Sequence, residues 1–206
     1  VRRFALPGLL VFALIIGFFS AHYHIARRDK SDCWFYELRL YVQWHNKVLG
    51  SPWQERALWN VLFERTAWTL DGILHKNPIM VDVTQKRDGK ETLIQGAAPG
   101  SFILTMVIFK YLIHSAIFLL LALYLRMAGF RAGINMFLLG IFAWLLSFQT
   151  DISSMFLWSY GEILILLLLP FILNSGKLWL LVPLTIVGML AKETAVFIPL
   201  VAAAWG

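Results

Sequence analysis

Six apolar runs account for half of this chain: Phe4–Ser20, Phe102–Leu125, Gly133–Phe148, Met155–Leu173, Leu178–Ala191 and Thr194 to the end. A run of about 20 apolar residues spans the ~30 Å hydrocarbon core of a bilayer as a helix. A soluble fold would have to wrap these runs in polar surface, and the composition does not supply it. Apolar residues make up 59% of the chain and charged residues only 15%, against about a quarter charged in an ordinary soluble domain. The expected fold class is therefore an all-α polytopic membrane protein. Charge is also unevenly placed, with 20 of the 30 charged side chains between residues 21 and 101. That distribution separates one water-facing segment from a set of spans. The formal net charge of +6 forms no basic stripe outside the mixed segment, so it is not the footprint of a nucleic-acid-binding protein. Cys33 is the single cysteine, which excludes an internal disulfide and a cysteine-based zinc site.

Orientation follows from the basic residues. Arg2-Arg3 precede the first run, as in a signal peptide, but bulky Phe18-Phe19 stand where small residues should mark cleavage. The first run is read as an anchor with its basic end in the cytoplasm. Arg126 and Arg131 bracket the short turn after the second run, and Lys177 lies in the loop after the fourth; both loops then fall inside, as the positive-inside rule expects. Lys110 sits within the second run and is expected to carry its ammonium back towards the headgroups. The chain divides into a first span (1–20), an outer loop (21–101) and a bundle of four or five further spans (102–206). It begins at Val1 and stops within an apolar run, as expected of the N-terminal part of a longer polytopic protein. Lys192-Glu193 interrupt the last apolar stretch, either at an outer corner between two short helices or inside one tilted helix; the corner is favoured.

The outer loop of 81 residues is far longer than an ordinary connection and implies function. Five of the nine tryptophans lie in it (Trp34, Trp44, Trp53, Trp59 and Trp68), and Trp favours the headgroup level. Trp53–Leu74, preceded by Ser51-Pro52, reads as an amphipathic interfacial helix, and Cys33–Lys47 reads similarly. Ile79–Gln85 and Glu91–Gln95 flank an Asp-Gly pair, the pattern of a small β-hairpin. Gly96–Gly100 reads as a hinge into the second span. No internal repeat is visible, which weakens an inverted-repeat transporter.

Several ionisable residues invite chemistry. Asp32, a dozen residues beyond the first span, could serve as a general base or bind a divalent metal ion, or be a solvated helix cap. Asp29 and Glu37 are weaker alternatives. Arg56, in Gln54-Glu55-Arg56, could clamp a phosphate through its planar fork. Asp151 lies at the outer end of a span, and Glu162 lies inside one, where an ionisable group is functional by default. Lys192 and Glu193 are neighbours and do not face each other on a helix, so Lys192 suits an anionic substrate group. The histidines show no metal-ligand spacing, and there is no phosphate-binding glycine loop or nucleophile elbow.

Three of these segments resemble the GT-C fold, the polytopic glycosyltransferases that use polyprenyl-phosphate-linked sugars. Asp32 in Ser31-Asp32-Cys33-Trp34 stands where that family carries an acidic residue early in its long outer loop. Gly50-Ser51-Pro52-Trp53-Gln54-Glu55-Arg56-Ala57-Leu58 is similar to a stretch of uncharacterised bacterial members, and Leu190-Ala191-Lys192-Glu193-Thr194-Ala195 is similar to another. The resemblance implies transfer of a sugar from a polyprenyl phosphate to an acceptor at the outer face of a bacterial plasma membrane. Asp32 would deprotonate the acceptor or hold a metal. Gln54, Arg56, Lys192 and Glu193 would line the substrate and phosphate side, with Asp151 and Glu162 as acidic cavity residues. Membrane lipid is the other implied partner. Asp32 lacks the acidic neighbour common in protein mannosyltransferases, which leaves the enzyme subtype open. The rival from another class is a transporter or channel using Glu162, Lys192 and Lys110 as a midplane relay; a non-catalytic membrane subunit of an envelope assembly is a third.

Overall fold

A computed structural model describes residues 5–26, 31–46, 57–87, 90–148, 157–191 and 197–205. The protein is mostly helical with one two-stranded antiparallel sheet. Its elements run α1 (Ala5–Ala26), α2 (Ser31–His45), α3 (Ala57–Leu74), β1 (Ile79–Arg87), β2 (Lys90–Ala98), α4 (Phe102–Met127), α5 (Ala132–Phe148), α6 (Leu157–Ser175), α7 (Leu181–Ala191) and α8 (Ile198–Trp205). They separate into two compact units, one of residues Val1–Arg27 with Phe109–Gly206, the other of Arg28–Ile108.

The first unit is a helical bundle. Its helices follow the apolar runs, and two of them, α4 and α6, stop at left-handed glycines. Gly129 (φ +87°) ends α4; its N–H donates to the Arg126 carbonyl and the Phe130 N–H to that of Leu125, the Schellman pair. Gly176 (φ +69°) follows α6, its N–H donating to the Leu173 carbonyl at 3.3 Å, while the Lys177 N–H donates to the Ser175 hydroxyl instead. α1 packs on α5, and Gly17 lets α1 approach α4 closely, since a Cβ there would lie 2.8 Å from the Ser115 Cα. Leu9, Ala13 and Ala21 of α1, Ile117, Phe118 and Ala122 of α4 and Leu139 of α5 form the core. Buried Asn135 donates its side-chain amide to the Ala122 carbonyl at 2.9 Å. Among the described residues, two helices are long and apolar enough to cross a membrane, Leu6–Tyr23 within α1 and the 26-residue α4. α5, α6 and the 178–190 stretch are apolar but shorter. Large apolar side chains cover their outer faces, among them Phe19, Leu112, Phe137, Trp144 and Trp179.

The second unit holds α2, α3, the hairpin and the first turns of α4. Each helix buries one stripe: Leu38, Tyr41 and Val42 on α2, Phe63, Ala67 and Asp71 on α3, the three-and-four spacing of an amphipathic helix. The strands pair from Ile79 with Ala98 to Arg87 with Lys90. That register leaves a two-residue connection, Asp88-Gly89, which lies outside the described residues but has the residue pair favoured for a type I′ turn. Val81 and Val83 point into the core while Met80, Asp82 and Thr84 face out, the period of two expected of a half-buried strand. The expected hinge at Gly96–Gly100 is corrected: Gly96, Ala97 and Ala98 belong to β2. Gly96 is there because the strand lies on α2, and a Cβ would come within 2.7 Å of the Val42 side chain.

Asp71 ties this unit together. Its carboxylate accepts the backbone N–H groups of Gly100 at 2.7 Å and Ser101 at 2.6 Å, and the Ser101 hydroxyl donates to the Ala67 carbonyl at 2.7 Å. The N–H groups at a helix start have no partner within the helix and favour negative charge. A buried carboxylate borrowed from α3 therefore caps α4.

Candidate functional site

Of the residues singled out in the sequence, Asp32 and Glu37 fall on α2, Lys110 on α4 and Glu162 on α6. Asp32 is the second residue of α2, with its side chain outside the described residues. Glu162 lies on α6, half-buried. Gln54, Arg56, Asp151, Lys192 and Glu193 lie outside the described residues, as do Asp29 and the Ser51-Pro52 helix start. The last two described helices end at Ala191 and begin at Ile198, on either side of Lys192-Glu193.

The bundle assembles a polar cluster that the linear sequence does not display. Lys110 is 1% exposed, and its ammonium lies 5.0 Å from the centroid of the Tyr160 ring. His114, one turn further along α4 and also 1% exposed, packs against the same tyrosine with ring centroids 4.5 Å apart and the planes tilted by 44°. Its Nδ1 lies 3.2 Å from the Ser20 hydroxyl. Residues four apart share one helix face, and here that face is the inner one, with Met106, Phe109, Ile113 and Ile117. This corrects the expectation that Lys110 reaches back to the headgroups. The stem leaves the helix on its buried side, and the cation sits on an aromatic face instead. Ser20 also lines a groove of about 420 Å³ between α1 and α5, with Phe19, His22, Tyr23 and Trp144.

A second cluster lies in the other unit, at the C-terminal end of α2. The Tyr41 hydroxyl donates to Glu64 Oε1 at 2.8 Å, and His45 Nδ1 is 3.2 Å from the same oxygen. Burial, and next the hydrogen bond to Glu64 and its charge, push the Tyr41 hydroxyl well above the usual phenol range; a hydrogen bond from Trp68 opposes them. Phe102 seals the cluster from below, 5.5 Å from the Tyr41 ring and 4.9 Å from Phe63. His45 remains open to solvent at 58% exposure. A carboxylate beside one ring nitrogen orients an imidazole. The pair spans two helices, and no ligand-like spacing could have disclosed it.

No group of three His, Cys, Asp or Glu that could hold a metal ion occurs among the described residues. Comparison with known protein families, with curated proteins and with solved structures finds no match.

Proposed function

We propose that this chain is a membrane glycosyltransferase of the GT-C kind, moving a sugar from a polyprenyl-phosphate donor to an acceptor at the outer face of a bacterial plasma membrane. The observation that supports it best is the folded unit of Arg28–Ile108. Two amphipathic helices, a hairpin and their own core stand between the two longest apolar helices, and Asp32 lies on the first turn of the unit's first helix. A transporter needs no such platform. The apolar outer faces of α1, α4 and α5 support a lipid setting, because contiguous exposed apolar surface of this extent is rare on soluble monomers. In this reading the N-terminus is cytoplasmic. Asp32 takes the proton of the acceptor hydroxyl or holds a divalent metal, Arg56 and Lys192 stabilise the departing phosphate, and Gln54 and Glu193 line the donor side.

The test is turnover of a polyprenyl-phosphate sugar in membranes containing the protein. Loss of a general base costs about 100- to 10,000-fold in rate, so Asp32→Asn should fall by that factor while donor binding persists. Arg56→Ala and Lys192→Ala should weaken both. Full activity in Asp32→Asn refutes the assignment.

One observation favours the rival relay. Lys110, His114 and Tyr160 meet inside the apolar bundle, and ionisable groups at such depth mark ion or proton pathways. That reading requires Glu162→Gln and Lys110→Met to abolish function and Asp32→Asn to leave it intact.

A further inference from the structure

The hairpin is polarised along its length. At its tip the sequence runs Lys86-Arg87-Asp88-Gly89-Lys90-Glu91, five charges in six residues. At its base, Gly72–Val81 contains no acidic residue and one lysine, and Thr92–Ser101 contains no charge. The rise of a strand is about 3.3 Å per residue, so Arg87 stands about 23 Å from Met80.

The base carries apolar side chains that the unit leaves uncovered. Ile73 is 65% exposed and Met80 70%, with Leu74 exposed beside them. These residues are held at the start of α4. Asp71 bonds the Gly100 and Ser101 amides. The backbone of Asn77 and the Cβ of Lys76 press so closely on Gly100 that any side chain there would collide with them. His75 adopts a left-handed conformation (φ +51°) to make that turn, and the Lys76 N–H closes it on the Asp71 carbonyl at 3.2 Å. Ile103 and Leu104, on the first turn of α4, are exposed in the same unit.

We propose that the turn between α3 and β1 is a membrane-surface anchor, in which Ile73, Leu74 and Met80 enter the headgroup layer of an anionic phospholipid surface and Lys76 meets its phosphates. The inference rests on the reading of α4 as a membrane span and adds the contact that sets the height of the outer unit. α4 is long enough to cross the bilayer, so its first turn marks the water boundary. Whatever is pinned there lies at headgroup level. Exposed apolar groups with a neighbouring cation fit that layer, because apolar area partitions inward and each basic residue gains from anionic lipid; Asp82, two residues beyond Met80 on the same outward face, marks where the strand leaves it. The charged tip is then carried out into water.

The experiment uses the full chain with Cys33→Ser and single labelled cysteines at Ile73, Met80, Thr84 or Leu112, in vesicles of phosphatidylcholine with phosphatidylglycerol. A bimane fluorophore at Ile73 or Met80 should show blue-shifted emission, quenched more by lipid nitroxide near the glycerol than by nitroxide at the chain end. At Thr84, on the same strand face but further up, aqueous iodide should quench and lipid nitroxide should not. Leu112, exposed on α4, should answer to the chain-end nitroxide. Lys76→Glu should lower the lipid quenching at Ile73 to its level in phosphatidylcholine alone. If Leu112 is quenched while Ile73 and Met80 report water, or are shielded from both quenchers by another protein surface, the anchor is overturned and the span stands. If Leu112 also escapes lipid quenching, both fall.

Discussion

Removing the Asp71 carboxylate should loosen the start of α4 far more than its single position suggests. Asp71→Ala deletes the acceptor of two short hydrogen bonds, to Gly100 N and Ser101 N, at a residue that is buried. A hydrogen bond to a charged group contributes about 1.5–3 kcal/mol, and loss of a helix cap typically costs about 1 kcal/mol, up to about 2. These terms describe the same contacts and do not add fully, so about 3 kcal/mol is expected. Asp71→Asn should be nearly as harmful, since one of its two terminal atoms becomes a donor facing a backbone donor. The sensitive probe is amide exchange at Thr105, whose N–H bonds to the Ser101 carbonyl at 2.8 Å in the first turn of α4. A loss of about 3 kcal/mol in local opening free energy corresponds to roughly 150-fold faster exchange. The backbone N–H of Asn135, bonded to the Arg131 carbonyl at 2.9 Å, supplies the internal control and should be unchanged. Exchange at Thr105 within about threefold of the parent would refute the capping role, as that factor is well below a single such bond.

Three further outcomes follow from particular contacts. Tyr41 holds its proton more tightly when folded, so its contribution is complete below the unfolded phenol value of about 10 and declines as pH rises above it. Tyr41→Phe should cost roughly 1 kcal/mol at neutral pH and flatten that alkaline decline in the urea midpoint; an unchanged slope would sink the assignment. Gly17→Ala places a Cβ 2.8 Å from the Ser115 backbone, an overpacking expected to cost about 1–3 kcal/mol and visible as a lowered melting temperature in detergent. His75→Gly relieves a left-handed non-glycine and should stabilise the second unit by about 1 kcal/mol; a loss instead would show that the imidazole makes a needed contact.

Much of the architecture could be read in the sequence because it depends on local pattern. The helices of the bundle follow their apolar runs to within a few residues. The hairpin follows from the alternation at Val81 and Val83 and from Asp88-Gly89. Gly129 ends α4 because no other residue adopts that backbone as cheaply. The hinge reading failed at Gly96 because a glycine-rich segment looks the same whether it is loose or pressed against a helix. Only the nearness of Val42 tells them apart.

The polar groups were another matter. Asp71 occupies the third place in a buried row with Phe63 and Ala67, where a carboxylate contradicts the amphipathic pattern until the amides it caps are known to lie beside it. From the sequence, Lys110 is expected at the headgroups, because a lysine stem can reach them. In the folded bundle its helix turns that side towards Tyr160 on α6. Hydropathy and turn chemistry act within a window of a few residues, so the sequence alone determined where most helices and the hairpin lie, but not where β2 ends. The rotation of each helix about its axis is decided by packing against its neighbours. That rotation buried Lys110 and brought His45 to Glu64, because a polar side chain's partner is whatever surface the fold sets opposite it.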